Sequence, residues 1–147
     1  MRKLYVRAMR EQDIPEVVRI ERSSFSTPWS ETSFFNEIHK SRSMTRVAVL
    51  NEAVVGYICV DYVLDECHIL NLATHPNHRR TGIAKALVEE ILSELRQKTC
   101  RFLYLEVRVS NDSAKAFYQG LGFGIIGVRK NYYVSPGEDG VIMRLEL

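Results

Sequence analysis

The sequence has little that would mark a membrane-bound, secreted or nucleic-acid-binding protein. No apolar run approaches the roughly 20 residues of a membrane-spanning helix, and the basic start Met1-Arg2-Lys3 lacks the apolar stretch and cleavage site of a signal peptide. Lysine and arginine number 20 against 18 acidic residues, a net charge of +2 that is too even for a nucleic-acid or membrane surface. We therefore expect a cytoplasmic protein that binds neither.

Cysteine is also scarce, with only Cys59, Cys67 and Cys100 and no C-x-x-C pair. An odd number of thiols in apolar, strand-like surroundings is typical of small buried side chains in a reducing compartment. A domain of this length buries roughly two-thirds of the surface that its unfolded chain exposes, so neither a disulfide nor a structural metal is needed for folding. We predict free thiols and a single domain over residues 1–147, present as a monomer or a weak dimer.

Two short helices and an antiparallel meander are predicted in the first half of the chain. Residues 4–8 alternate as a strand, after which Asp13-Ile14-Pro15-Glu16 offers an N-cap acid, an early proline and a capping-box glutamate. Ser30 caps a second helix, with Phe34 and Phe35 on one side. Three strand-like stretches follow without a helix between them. They cover residues 46–50, 54–62 and 67–73.

The hydrophobic period then changes to that of a long helix. Apolar residues from Ala84 to Leu95 recur at the spacing of a broad helical stripe. A strand over residues 102–109, a short helix capped by Asn111 and a hairpin closed at Pro136 to Gly140 complete the chain. This order predicts a mixed-sheet α/β (α+β) domain.

A candidate phosphate site lies at the start of the long helix, in Arg79-Arg80-Thr81-Gly82-Ile83-Ala84-Lys85. A helix N-terminus offers unpaired N–H groups and the positive end of the helix dipole, and small residues let phosphates approach. From spacing alone, a turn glycine beside a solvated basic face explains the segment equally well. It is not a Walker loop, because no G-K-[ST] follows.

For several other polar residues, the sequence is compatible with a functional role and with a purely structural one. Glu106, in the strand over residues 102–109, is a candidate general base, although most strand carboxylates are solvated or paired with arginine. By the residues alone, Asn111 serves as a helix cap and Tyr118 as a core aromatic. His75 and the neighbouring histidines present no clear ligand set, so we predict no metal site.

Two of the segments described above, the candidate phosphate site and the segment around Glu106, resemble motifs of one enzyme superfamily. Arg79-x-x-Gly82-x-Ala84 is similar to the [QR]-x-x-G-x-[GA] motif of the GNAT acetyltransferases, and the order of elements resembles theirs over essentially the whole chain. The resemblance implies the GNAT fold, acetyl-CoA as cosubstrate and a pyrophosphate held by backbone amides of the motif. The implied contacts to acetyl-CoA are Leu72, Ala73 and Thr74 along the pantetheine arm, and Arg79, Arg80, Thr81, Gly82, Ile83, Ala84 and Lys85 at the pyrophosphate.

The segment from Leu105 to Phe123 resembles the bacterial ribosomal-protein-alanine N-acetyltransferases. The resemblance implies that Glu106 is the general base, that Tyr118 protonates the departing CoA thiolate and that Asn111 contacts the cosubstrate. A backbone N–H around Ala73 is the expected oxyanion donor. No side chain looks like an acyl-carrying nucleophile, so we expect direct transfer without an acetyl-enzyme.

The acceptor side is indicated by Phe25-Ser26-Thr27-Pro28-Trp29-Ser30 and by Tyr132-Tyr133 with Gly137-Glu138-Asp139. Both segments resemble those that flank the bound peptide in N-terminal acetyltransferases, although Gly140 replaces the alanine common there. The resemblance implies peptide-binding roles for Phe25, Trp29, Tyr132 and Tyr133. From the residues alone, packing and turn roles explain them as well.

The implied acceptor is an N-terminal α-amine, most specifically the N-terminal alanine of a ribosomal protein. At pH 7 roughly a tenth of an α-amine with a pKa near 8 is neutral, whereas the neutral fraction of lysine is under about a thousandth. An α-amine therefore needs less help from a general base to lose its proton. A small-molecule amine, a lysine, or a non-catalytic acyl-CoA sensor are the alternatives.

Overall fold

The structure is a computed structural model that describes residues 3–147, so Met1 and Arg2 of the basic start lie outside the described residues. The strands are β1 Leu4–Ala8, β2 Ser43–Leu50, β3 Ala53–Val63, β4 Glu66–Thr74, β5 Phe102–Arg108, β6 Gly124–Val134 and β7 Gly137–Glu146. The α-helices are α1 Ile14–Ser24, α2 Glu31–His39, α3 Ile83–Leu95 and α4 Asp112–Gly120. Short 3-10 turns precede α1 and α3.

The strands form one mixed sheet in the order β1-β2-β3-β4-β5-β7-β6. Strands β1 to β4 are an antiparallel meander, β4 and β5 are parallel, and β5, β7 and β6 are antiparallel. The long crossover from β4 to β5 contains α3, as a parallel connection requires. The predicted meander and the mixed α/β class are confirmed.

Strands β4 and β5 part after a short contact. They pair only from Glu66↔Phe102 to His68↔Tyr104, although β4 continues to Thr74 and β5 to Arg108. A β-bulge at Leu70 interrupts the register of β4 with β3 just beyond this contact. The result is a gap in the middle of the sheet, bordered by the second halves of both strands.

Two hydrophobic clusters cover the two faces of the sheet. Helices α3 and α4 pack on one face and contribute Leu87, Ile91 and Tyr118 to its cluster. Helices α1 and α2 pack on the other face, where the core includes Val17 and Phe34. The buried side chains of α3 stabilise the fold by about 1.5–3 kcal/mol each. They are Ile83, Leu87, Val88, Ile91, Leu92 and Leu95.

The helix caps confirm two of three sequence predictions. Ser30 Oγ accepts a hydrogen bond from the backbone N–H of Ser33 at 3.2 Å, and Asn111 Oδ1 accepts one from Ala114 at 3.0 Å. Asp13 does not cap α1 through its side chain, so that prediction is wrong. Its carboxylate instead pairs with the guanidinium of Arg7 at 2.7 Å.

Two further predictions about local structure need correction. Phe35 is 45% exposed, whereas Phe34 is fully buried, because α2 turns only one of these neighbouring rings toward the sheet. The hairpin closes at Ser135-Pro136 rather than across Pro136 to Gly140, because β7 already begins at Gly137. In the part of the chain that the structure describes, no helix is long and apolar enough to cross a membrane.

The prediction of free thiols is wrong for two of the three cysteines. Cys67 and Cys100 are joined in a disulfide, with 6.3 Å between their Cα atoms. Cys67 lies near the start of β4 and Cys100 just before β5, so the parallel strands bring together residues that are 33 positions apart. Cys59 is free and buried, and burial raises the pKa of its thiol.

Candidate active site

The N-terminus of α3 has the geometry that the phosphate prediction requires. Gly82 is its N-cap residue, in the left-handed region with φ +84°, and Arg80 is also left-handed with φ +59°. The helical hydrogen-bond ladder begins with the N–H of Ala86, which donates to the Gly82 carbonyl at 3.0 Å. The preceding N–H groups, those of Ile83, Ala84 and Lys85, have no acceptor within the helix.

Gly56 on β3 lets this helix start approach the sheet, a role that was missed in the sequence. A β-carbon there would lie 2.9 Å from Ile83 Cγ2 and 3.1 Å from the Ala73 carbonyl oxygen. Any side chain would therefore push α3 away from the end of β4. A glycine inside a strand is the signal that indicates such a close approach.

Three of the remaining predicted contacts to acetyl-CoA border the gap between β4 and β5. Leu72, Ala73 and Thr74 are in β4 beyond its last pair with β5. Arg79 donates to Ser24 Oγ at 3.3 Å, and Thr81 donates to the carbonyl of His78. Lys85 is exposed and lies 3.9 Å from Glu89.

Glu106 lies on the β5 edge of the gap, two residues past the last pair with β4. Leu103 and Leu105 pack in the cluster on the α3 and α4 face, so the alternation of side chains turns Glu106 toward the α1 and α2 face. Its side chain is 22% exposed, and Oε1 lies 3.9 Å from Arg129 Nε. The carboxylate is thus accessible and only loosely paired.

Tyr118 in α4 lies on the opposite face of the sheet, buried against Phe117 and Phe123 with ring centres 5.1 and 5.3 Å away. Burial raises the pKa of its hydroxyl. Among residues 3–147 no hydrogen-bond partner holds that hydroxyl. Glu106 and Tyr118 therefore lie on different faces of the sheet, Glu106 on the face covered by α1 and α2 and Tyr118 on the face covered by α3 and α4.

Arg108 joins the two segments predicted to bind the acceptor. It donates to the carbonyl oxygens of Pro136 at 2.7 Å and Ser135 at 3.1 Å, and it lies within 3.4 Å of Ser26 Oγ. Ser26 Oγ itself donates to the Ser135 carbonyl at 2.9 Å. We call residues 25–30 the acceptor loop and residues 132–138 the hairpin end.

The sequence alone did not reveal this bridge, although Arg108 belongs to the motif around Glu106. Its partner Ser26 is 82 residues away. The bridge joins the two segments that contain the four predicted acceptor residues, and Tyr133 itself stacks on Arg108. The four are Phe25, Trp29, Tyr132 and Tyr133.

Glu138 and Asp139 are more than turn residues, because both carboxylates accept hydrogen bonds that hold the hairpin. Glu138 accepts a hydrogen bond from the backbone N–H of Ser110 at 2.9 Å, and Asp139 accepts one from Asn131 at 2.8 Å. Hydrogen bonds from Ser110 and Arg108 lower the pKa of Glu138. These bonds fix the hairpin on the end of β5.

Gly140 gives the Tyr132 ring its position. A β-carbon at Gly140 would lie 3.1 Å from Cδ2 and 3.3 Å from Cβ of Tyr132. An alanine at this position would therefore force the ring to shift. Within residues 3–147, no group of three or more His, Cys, Asp or Glu side chains could hold a metal ion.

The chain is similar to known proteins over most of its length. Residues 14–123 match the acetyltransferase (GNAT) family. A Bacillus subtilis (strain 168) protein with the provisional name [ribosomal protein bS18]-alanine N-acetyltransferase is 37% identical over 142 residues, which cover 96% of this chain and 94% of that protein. The Escherichia coli (strain K12) [ribosomal protein bS18]-alanine N-acetyltransferase is 33% identical over 144 residues, 97% of each chain.

A solved structure shows the same fold. The crystal structure of the ribosomal-protein-S18-alanine N-acetyltransferase from Escherichia coli superimposes with a TM-score of 0.90 at 32% identity, covering 98% of this chain and 94% of that one. The parted strands and the open N-terminus of α3 are thus found in a chain that matches an acetyltransferase family over most of its length. The chain belongs to the GNAT family and is an acetyl-CoA-dependent N-acetyltransferase.

Proposed function

We propose that the enzyme acetylates the N-terminal α-amine of a protein, and that its acceptor is the N-terminal alanine of ribosomal protein bS18. The observation that carries the proposal is the bridge by Arg108, which brings the acceptor loop and the hairpin end together beside the Glu106 edge of the gap. The names of the similar proteins support the choice of acceptor.

Acetyl-CoA supplies the acetyl thioester, and the residues around the gap fit it. The backbone N–H groups at the start of α3 and the basic side chains of Arg79, Arg80 and Lys85 would hold the pyrophosphate. The free edge of β4 at Leu72, Ala73 and Thr74 would hydrogen-bond the pantetheine arm. Asn111 is occupied as a helix cap through Oδ1, so its amide nitrogen would make any contact with the cosubstrate.

Glu106 would act as the general base. The amine nitrogen attacks the thioester carbonyl carbon, so the new N–C bond forms while the amine gives a proton to the carboxylate, directly or through one water. A backbone N–H around Ala73 would stabilise the developing oxyanion. The 22% exposure of the Glu106 carboxylate and its loose pairing with Arg129 support this role.

Tyr118 would act as the general acid. When the C–S bond breaks, its hydroxyl gives a proton to the departing thiolate. Burial raises the pKa of Tyr118, so the hydroxyl keeps its proton at neutral pH. The lack of a protein partner for this hydroxyl within the described chain leaves it available to the sulfur.

Direct transfer without an acetyl-enzyme is supported by the state of the cysteines. Cys67 and Cys100 are paired with each other, and burial raises the pKa of Cys59, which disfavours its nucleophilic thiolate form. We further propose that residues 1–147 form one domain and that the reaction takes place in the cytoplasm.

The test is release of CoA from acetyl-CoA in the presence of defined amines. The panel contains short peptides beginning with Ala, Ser or Met, a matched peptide with a blocked N-terminus and an internal Lys, and small polyamines. We expect turnover only with the peptides that have a free N-terminus, and the fastest turnover with the peptide that begins with Ala. Turnover on polyamines or on the blocked peptide would reject the proposed acceptor, and tight CoA binding without turnover on any amine would indicate a sensor.

A further inference from the structure

Glu21, near the end of α1, carries a buried carboxylate that the proposed chemistry does not use. The residue is 2% exposed. It accepts hydrogen bonds from the hydroxyl of Tyr57 on β3, from Asn71 Nδ2 on β4 at 3.2 Å and from the backbone N–H of Trp29 at 3.0 Å. Three different elements therefore meet at one side chain.

The setting of this carboxylate is unusual for a residue that only fills space. It takes part in no ion pair within residues 3–147. The other buried side chains of α1 are all apolar, from Ile14 to Ile20. A buried charge is costly unless it is well hydrogen-bonded. An apolar residue would therefore pack better here, and the role of the carboxylate is to accept the hydrogen bonds of its donors.

Two of the donors border the active site. Trp29 belongs to the acceptor loop, and its ring packs on Phe34 with 5.2 Å between ring centres. Asn71 belongs to the part of β4 that has separated from β5. With Leu70 taken as the bulge residue, Asn71 and Glu106 each lie two strand positions past the last β4–β5 pair.

We infer that Glu21 is a positioning residue for the acceptor, which holds the acceptor loop at a fixed distance from the β4 edge of the gap. The carboxylate reaches the loop through its backbone, so its effect does not depend on the loop's side chains. The inference rests on the proposed acceptor role of that loop. It assigns Glu21 no contact with either substrate.

The test compares Glu21→Gln with Tyr57→Phe. Glutamine has the same shape but replaces one accepting oxygen with an NH₂ donor, which opposes the donors around it. Tyr57→Phe removes one donor and leaves the bond from Trp29 to Glu21 intact. Trp29 is the single tryptophan of the chain, so its fluorescence reports on the acceptor loop without any substrate.

For Glu21→Gln we expect the KM of the acceptor peptide to rise about tenfold, the effect of one hydrogen bond to a charged group. The KM of acetyl-CoA should stay unchanged, and Trp29 emission should shift to the red with greater acrylamide quenching. Tyr57→Phe should lower thermal stability but leave the acceptor KM and the Trp29 emission as in the wild type.

Unchanged acceptor KM and unchanged Trp29 emission in Glu21→Gln would overturn the inference, as would an equal rise in both KM values. If that variant does not fold, Glu21→Asp retracts the carboxylate by one methylene and must give the same two changes. A wild-type enzyme that does not turn over free N-termini would instead reject the proposed function, while Trp29 emission would still decide the role of Glu21.

Discussion

The guanidinium carbon of Arg108 lies 4.3 Å above the centre of the Tyr133 ring. The same group donates to two carbonyls of the hairpin end. Arg108→Lys keeps the charge but loses the planar stack and the forked donors. We expect the KM for the acceptor peptide to rise about tenfold, with the KM for acetyl-CoA unchanged.

The matched control is Arg101→Lys, which alters an arginine stacked on Phe102 away from the hairpin end. Steady-state rates with each substrate varied in turn give both KM values. An acceptor KM that is the same in Arg108→Lys, Arg101→Lys and the wild type would contradict a role for the bridge.

Glu106→Gln preserves the shape of the side chain and removes the base. We expect turnover at neutral pH to fall about 100-fold, with CoA affinity nearly intact. The loss should be largest at low pH and shrink above the α-amine pKa of about 8, where the amine is neutral without help. A pH series of kcat for this variant, with Glu146→Gln as control on an exposed glutamate of β7, measures the difference; equal profiles would remove Glu106 as base.

Tyr118→Phe deletes only the hydroxyl and leaves the ring packed against Phe117 and Phe123. Turnover should fall on the order of 100-fold, because the thiolate then leaves without a proton donor. Binding of CoA, measured by titration calorimetry, should match the wild type. If kcat is retained, Tyr118 is a core aromatic and not the acid.

Gly82→Ala tests the helix start at the predicted pyrophosphate. A β-carbon there meets no atom within 4 Å, but φ is +84°, so the cost is conformational, about 1 kcal/mol. Relief of that strain would move the N–H groups of α3, and we expect the Kd for CoA to rise several-fold. Gly120→Ala, also without neighbours within 4 Å but without a positive φ, should leave the Kd unchanged; equal Kd values for both variants would contradict the assignment.

Glu37 makes folding stability depend on pH. Burial and a hydrogen bond with Asp61 raise the pKa of Glu37 to about 7 from an ordinary 4.5, against smaller opposing effects of Ser43 and Lys40. Between these values the folded state holds a proton that the unfolded state has lost. The free energy of unfolding therefore decreases by about 3 kcal/mol as pH rises from about 4.5 to about 7.

Glu37→Gln mimics the protonated side chain and should abolish this decrease. Urea unfolding at pH 5 and pH 8 measures it. The variant is expected to be more stable than the wild type at pH 8 and similar to it at pH 5. If the free energy of unfolding decreases equally between pH 5 and pH 8 in the variant and in the wild type, Glu37 is not the group that carries the proton.

Much of the fold could be predicted from local sequence patterns, because helix stripes, helix caps and strand alternation depend on residues that are close in the chain. The apolar stripe of α3, the caps at Ser30 and Asn111 and the meander all depend on short spacings. The interactions that were missed join distant segments. The disulfide spans 33 residues, and the Trp29 contact of Glu21 involves a loop whose path no periodicity predicts.

The brief contact between β4 and β5 makes the sheet two half-sheets, β1–β4 and β5–β7–β6, joined along three residue pairs. Backbone groups on the facing edges beyond that seam have no strand partner, and buried groups of this kind must be satisfied by something. A cosubstrate lying between the edges would occupy the place of a missing strand. Binding would then complete the architecture of the enzyme as well as deliver its acetyl group.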